Sequence, residues 1–180
     1  MKIKFVTGNQ RKIKEAKAAC KDFGIEILQQ ELDIDEIQGI DPIAIAKNKA
    51  FKAYEAVGEP IVVTDTSWNI LAVNGFPGGY MKDVARWFDA EDFIALVSRR
   101  TDRRIRFTET IVYNDGSDTK VFSEEYAGTI ADSPRGDGNS IEQVAVFDGK
   151  TLAEAHGMGQ FSHDPKDYVW YKFAKWFSEK

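Results

Sequence analysis

Pro60-Ile61-Val62-Val63-Thr64-Asp65 is a short, continuously apolar, β-branched run that ends in a polar tip. A strand with one face in water alternates apolar and polar residues. A run that is apolar at every position reads instead as a strand covered on both faces, as the inner strands of a parallel α/β sheet are. Asp65 is expected at the carboxyl end of this strand. A carboxylate following Ile61, Val62 and Val63 would be partly buried, and buried charge needs a partner, so Asp65 marks a candidate site.

Working outward toward the N-terminus, Ile43, Ala46, Ala50, Ala53 and Val57 fall on one stripe of a helix, with Pro42 suited to its first turn. Before it lie the acidic stretch 31–36 and a strand over residues 25–28. Residues 2–6 form the opening strand. Thr7-Gly8-Asn9 turns that strand into a helix carrying Ile13, Ala16, Cys20 and Phe23, with Asn9 as its N-cap. Toward the C-terminus, Gly75-Phe76-Pro77-Gly78-Gly79-Tyr80 reads as a loop, followed by helical segments with Val84, Trp87 and Phe88, then Phe93, Ile94, Leu96 and Val97. Ile105, Phe107, Ile111 and Tyr113 keep period two, so residues 104–113 should be a half-buried strand. Asn114-Asp115-Gly116 then turns it into a partner over residues 119–126. A strand over residues 144–147 and a closing amphipathic helix with Val169, Phe173, Trp176 and Phe177 complete the pattern. The expected fold is a single α/β domain over residues 1–180, with a long twisted mixed β-sheet flanked by helices and two lobes around a central cleft.

The 180 residues, 43% of them hydrophobic and 12% aromatic, suffice for one well-packed domain and are too few for two ordinary ones. No run approaches the roughly 18 consecutive apolar residues of a membrane span, and Met1-Lys2-Ile3-Lys4-Phe5 leads straight into a strand rather than a signal peptide. A cytoplasmic location without membrane attachment is the expectation. One cysteine and two histidines cannot build a usual zinc centre, so carboxylates are the expected metal ligands. A net charge of −5 argues against a nucleic-acid polymer as partner, but leaves room for one nucleotide held by a local cationic cluster.

Two constellations carry chemistry. Thr7-Gly8-Asn9-Gln10-Arg11-Lys12 places a small-residue turn between strand and helix, where unpaired backbone N–H groups and the positive dipole end suit a phosphate. Arg11 and Lys12 stand at a helix end that disfavours cations unless an anion sits there. An ordinary βα turn with solvated basic residues is the competing reading. The second constellation is Glu36, Asp65 and the intervening helix lysine, Lys49. Magnesium needs only one or two carboxylates beside phosphate oxygens and water. A solvated loop acid at residue 36 and an exposed helix lysine at residue 49 remain open alternatives.

Together these pieces resemble the inosine triphosphate pyrophosphatase (Ham1-like) family. Thr7-Gly8-Asn9-Gln10-Arg11-Lys12 is similar to its T-G-N-x-x-K opening, Glu36-Ile37-Gln38-Gly39 to its E-x-Q-G element, and Thr64-Asp65-Thr66 to its E-D-[ST] motif. Lys49 matches its helix lysine, and Asn74-Gly75-Phe76-Pro77-Gly78-Gly79-Tyr80 its L-x-G-x-P-G-x-Y loop. The resemblance implies Mg2+ held by Glu36 and Asp65, with Asp65 and Lys49 as catalytic residues. Thr7, Gly8, Asn9, Lys12, Thr66, Ser162 and His163 would bind substrate, a nucleoside triphosphate cut to monophosphate and pyrophosphate. It also implies a homodimer, for which Trp87 and Phe88 could supply aromatic surface.

The last third departs from the pattern. After Pro134-Arg135-Gly136, where the family has G-[FW]-x-x-D-P, the chain reads Asp137-Gly138-Asn139-Ser140-Ile141-Glu142-Gln143. Ser162-His163 matches the family's S-H pair, but Met158 replaces its lysine and Asp164 its arginine. Asp164 is read either as an acceptor that selects a base with an amino group or as an N-cap ahead of Pro165. Phe122, Tyr126 and Trp68 are candidates for a substitute stacking ring. A pyrophosphatase for another base and a catalytically silent nucleotide-binding protein are the competing functions.

Overall fold

The computed structural model describes residues 1–159 and 168–180. Strand β1 (Lys2–Val6) leads into helix α1 (Gln10–Lys21), followed by β2 (Glu26–Gln30), α2 (Pro42–Val57) and β3 (Ile61–Ile70). A short 3-10 turn precedes β4 (Phe76–Gly78), α3 (Met81–Val84) and α4 (Ala90–Val97). The hairpin strands β5 (Arg104–Asn114) and β6 (Thr119–Ile130) come next, then β7 (Ala145–Phe147), β8 (Lys150–Thr151), α5 (Leu152–Gly157) and α6 (Val169–Ser178). The eight strands pair in the order β2-β1-β3-β5-β6-β7-β8, with β4 added on β3. β1 pairs in parallel with both β2 and β3, while β4 runs antiparallel to β3, so the open sheet is mixed. Among the described residues, no helix is long and apolar enough to cross a membrane.

The described residues separate into two compact units. The first holds residues 1–65, 109–124 and α6. Its sheet is covered on both faces, which is why Ile61-Val62-Val63 is apolar throughout. Val62 joins Ile3, Phe5, Ile111 and Tyr113 against Ile13, Ala16 and Cys20 of α1 and Trp170 and Phe173 of α6. Ile61 and Val63 join Val6 and Val112 against Ala46, Ala50 and Ala53 of α2. Fully burying side chains such as Phe5, Phe173 or Ile61 stabilises the fold by about 1.5–3 kcal/mol each. α2 is bounded as its sequence requires: Asp41 accepts the Ile43 and Ala44 amides, Pro42 occupies the first turn, and Gly58 closes the helix at φ 69°. The second unit, residues 66–108 and the described residues from 125 on to 159, packs Trp68, Ile70, Phe93, Val97, Ile105, Ile141, Val144 and Phe147 around its own core.

Two expectations are corrected. Asp65 does not end its strand: β3 continues to Ile70, because Trp68 and Ile70 are buried and Trp68–Ile70 pairs with Phe76–Gly78. The segment read as a loop therefore contains β4. Asn74 at φ 58° and Gly75 at φ 85° make the reversal that lays it back on β3.

Candidate active site

The parallel ladder fixes where the chemistry can sit. Phe5 pairs with Val62, so the chain leaving β1 at Thr7 and Gly8 runs alongside Thr64 and Asp65. The carboxyl ends of parallel strands are where open α/β sheets bind ligands. Thr7 is held by its amide, which donates to the Gln30 carbonyl at 3.0 Å. Its hydroxyl in turn accepts the Asn9 amide at 3.1 Å. Asn9 caps α1: its Oδ1 accepts the Arg11 and Lys12 amides at 2.9 and 3.3 Å. The Arg11 and Lys12 amides are thus taken by the cap itself. A phosphate would meet side chains and the open space over Gly8, where an added Cβ would find no atom within 4 Å.

Lys12, in the first turn of α1, is the electrostatic meeting point. Burial pulls its ammonium below the ordinary lysine range, against the attraction of Glu109; Lys49 lowers it further, and Asp65 and Glu15 raise it. Those charges come from β5, α2, β3 and α1, so residues scattered from 12 to 109 gather around one cation. Arg11 is offset by Glu15, four residues on, at 3.7 Å. The unfavourable placement of these cations against the helix dipole is therefore relieved within the protein by carboxylates.

The structure brings Glu36 and Lys49 into direct contact, with Nζ 2.7 Å from the carboxylate and both side chains largely shielded. One turn along α2 from Asn48, Lys52 donates to the Asp35 carbonyl at 2.7 Å, strapping the acidic segment to the helix. Asp65 is half-buried in β3, and Thr66, the next residue, belongs to the second unit. Ser162, His163 and Asp164 lie outside the described residues.

Glu109 occupies the same row of β5 as Ile105, Phe107, Ile111 and Tyr113, whose period-two pattern holds without it. A carboxylate in such a row is the signal that could have found it. Burial pushes its carboxyl up to about 7, opposed by Lys12; Glu15 adds to the rise and Arg11 opposes it. The substitute stacking rings, by contrast, are core. Phe122 packs on Phe173 and Trp176, Trp68 is 4% exposed against Phe107, and Tyr126 stacks on Phe107 at 5.9 Å. The divergent segment after Gly136 builds its own turn, with Asn139 and Glu142 exchanging side-chain and amide bonds of 3.3 and 3.1 Å.

A hard cation takes carboxylate oxygens of the kind Glu36 and Asp65 carry, while Cys20 is buried in the core. Among the described residues no group of three or more His, Cys, Asp or Glu could hold a metal on its own.

Comparison with known proteins follows the same lines. The model of the Ham1 family matches residues 3–158. A dITP/XTP pyrophosphatase of Methanopyrus kandleri is 32% identical over 98% of this chain and 96% of its own length. An inosine triphosphate pyrophosphatase of Yarrowia lipolytica is 32% identical over 96% of this chain and 90% of its own. The Ham1 protein of Staphylococcus aureus superposes with a TM-score of 0.79 at 25% identity, covering both chains in full. A HAM1 protein from Coxiella burnetii shares the fold with a TM-score of 0.85 over both full chains, at 20% identity.

Proposed function

The chain belongs to the Ham1 family, and from that membership we propose that it hydrolyses a non-canonical purine nucleoside triphosphate, of the dITP, XTP or ITP class, to monophosphate and pyrophosphate, clearing such nucleotides from the pool. The observation that supports the reading best is the gathering of Lys49, Asp65 and Glu109 around Lys12, beside a turn with open space above Gly8. A site for a polyphosphate needs cations fixed in place and a carboxylate beside them, because phosphoryl chemistry is catalysed mainly by positioning and charge neutralisation.

In this reading residues 1–180 work as one pyrophosphatase domain. Lys12 and Lys49 hold phosphate oxygens, with the Thr7 and Asn9 side chains and Gly8 forming the floor on which a phosphate rests. Asp65 orients the attacking water toward the α-phosphorus and accepts its proton, and Thr66 hydrogen-bonds the substrate beside it. Lys49, carried on the rigid α2 and locked to Glu36, steadies the charge that develops on the departing pyrophosphate. Glu36 and Asp65 would also hold Mg2+, which when bound neutralises charge on the triphosphate. Ser162 and His163 are assigned to the base and its surroundings on the family pattern. The protein acts in the cytoplasm as a homodimer, and Trp87, 74% exposed, is the aromatic side chain offered to a partner copy.

The test is a panel of triphosphates with Mg2+, separating mono- and diphosphate products. ITP, dITP or XTP should be turned over with kcat/KM at least about tenfold above ATP and GTP, a discrimination of roughly 1.4 kcal/mol. Equal rates with all purines would sink the assignment of substrate, and nucleoside diphosphate as product would sink the assignment of reaction.

A further inference from the structure

The turn that leaves β1 is gripped from the neighbouring strand. β2 is the edge strand of the sheet, and its ladder with β1 stops where Val6 meets Gln30. The Gln30 carbonyl still accepts the Thr7 amide at 3.0 Å, but the Thr7 carbonyl lies beyond the paired residues. It takes its donor from a side chain instead: Gln29 Nε2 donates to it at 3.1 Å. The same nitrogen donates to the Glu31 carboxylate at 3.0 Å, and Gln29 Oε1 accepts Gln10 Nε2 at 3.1 Å. A carbonyl and a carboxylate can only accept, so the amide nitrogen of Gln29 must face them, which leaves its oxygen for Gln10.

One side chain therefore holds both ends of the turn. Thr7 precedes Gly8 and Asn9, and Gln10, the first residue of α1, follows them. Between these two grips lies Gly8, which has the most backbone freedom to lose and meets no atom within 4 Å on the side where a Cβ would stand. The bonds from the Thr7 hydroxyl to the Asn9 amide and from Asn9 Oδ1 to the Arg11 and Lys12 amides shape the turn from within. They do not tie it to the sheet. Gln29 ties it to β2 on either side of Gly8. For overall stability such bonds matter little, because Gln10 and Glu31 are exposed and neutral bonds in water's reach contribute small net amounts. Their effect is positional: a turn that is loose before a phosphate arrives must be ordered on binding, and that cost is taken from affinity.

We infer that Gln29 is a positioning residue for the phosphate seat, bracketing the turn through Thr7 and Gln10 so that Gly8 is already in place when the substrate's phosphate settles on it. The inference rests on the proposed reading of this turn as the floor for a phosphate, and it adds a residue of β2 that neither the motifs nor the sequence pattern assigned to the site. Gln29 touches no substrate atom in this scheme; it acts through the two residues it holds.

Gln29→Met keeps the reach of the side chain and removes its three bonds, while Gln10→Met removes only the bond between the two glutamines. Hydrogen exchange followed by NMR, without any substrate, reads the Asn9, Arg11 and Lys12 amides that the turn protects. In Gln29→Met these should exchange about threefold to tenfold faster, with the thermal midpoint within a few degrees of the wild type. Kinetics with ITP and Mg2+ should show KM raised about threefold to tenfold and kcat within about twofold. Gln10→Met should raise KM less, and the double variant should match Gln29→Met, because the bond to Gln10 is then already lost. Lys12→Met, which removes the cation itself, is the control for the seat. A rise of KM in Lys12→Met without one in Gln29→Met overturns the inference and leaves the seat standing. Unchanged KM in both variants means that the turn seats no phosphate, and the reading beneath the inference fails with it. A lower thermal midpoint in Gln29→Met with KM and amide exchange unchanged marks a merely structural residue and also overturns the inference. Should Gln29→Met not fold, Gln10→Met, whose side chain is exposed, carries the same test with the smaller rise in KM.

Discussion

The Lys49 ammonium lies 2.7 Å from the Glu36 carboxylate, so the helix lysine and the acidic segment before that helix form one unit. The contact is shielded from water, with the two side chains 18% and 24% exposed, so removing one partner leaves a partly desolvated charge behind. If both residues serve the same substrate, they should not act independently. Glu36→Gln and Lys49→Met should each lower kcat/KM for ITP by about 10²–10³-fold, in the range seen for single electrostatic groups of active sites. The double variant should lose much less than the product of the two. Multiplying losses in a double-mutant cycle would show that the two residues act separately.

Asp65→Asn removes the carboxylate while keeping the shape of β3. Activity should fall by at least about 10²-fold, with the thermal midpoint within a few degrees of the wild type. Retention of most activity would remove Asp65 from the chemistry.

Glu109 should make folding stability depend on pH. Its carboxyl, ordinarily at 4.5, is raised to about 7 in the folded chain because burial disfavours its charge. Between those values the folded protein binds more protons than the unfolded chain, so stability is greater on the acid side and falls as pH rises from 4.5 toward 7. Above that window its contribution is level. Urea unfolding of wild type and Glu109→Gln should therefore show the variant gaining relative stability across the window and no further above it. A difference constant with pH would contradict the assigned burial.

Cys20 is fully buried on the inner face of α1, and burial pushes its thiol up to about 12. A thiol held neutral and covered does not react. A disulfide reagent at pH 8 should leave native protein unmodified for hours and label one thiol at once in guanidinium. Fast labelling of the native state would mean that α1 opens readily.

The inner strands were legible because burial on both faces leaves a plain mark in sequence, as at Ile61-Val62-Val63. The N-cap at Asn9 and the hairpin around Asp115 were legible because turn and cap chemistry is local. β4 was hidden by glycines and a proline that elsewhere break strands; its pairing depends on Trp68–Ile70, a tertiary partner. The extension of β3 past Asp65 was hidden by the polar Thr66, Ser67 and Asn69. No spacing rule links Lys12, Lys49 and Glu109. Their meeting depends on β1, β3 and β5 lying side by side, and only the family resemblance foretold part of it. Glu109 lies outside that resemblance, and the flanking isoleucines and aromatics satisfy the alternation without it.

The proposed reaction directs water at the α-phosphorus. Hydrolysis of ITP in H2(18)O, followed by mass spectrometry of both products, tests this most directly. The account predicts one heavy oxygen in inosine monophosphate and none in pyrophosphate. Label in pyrophosphate, or release of orthophosphate and inosine diphosphate, would contradict it.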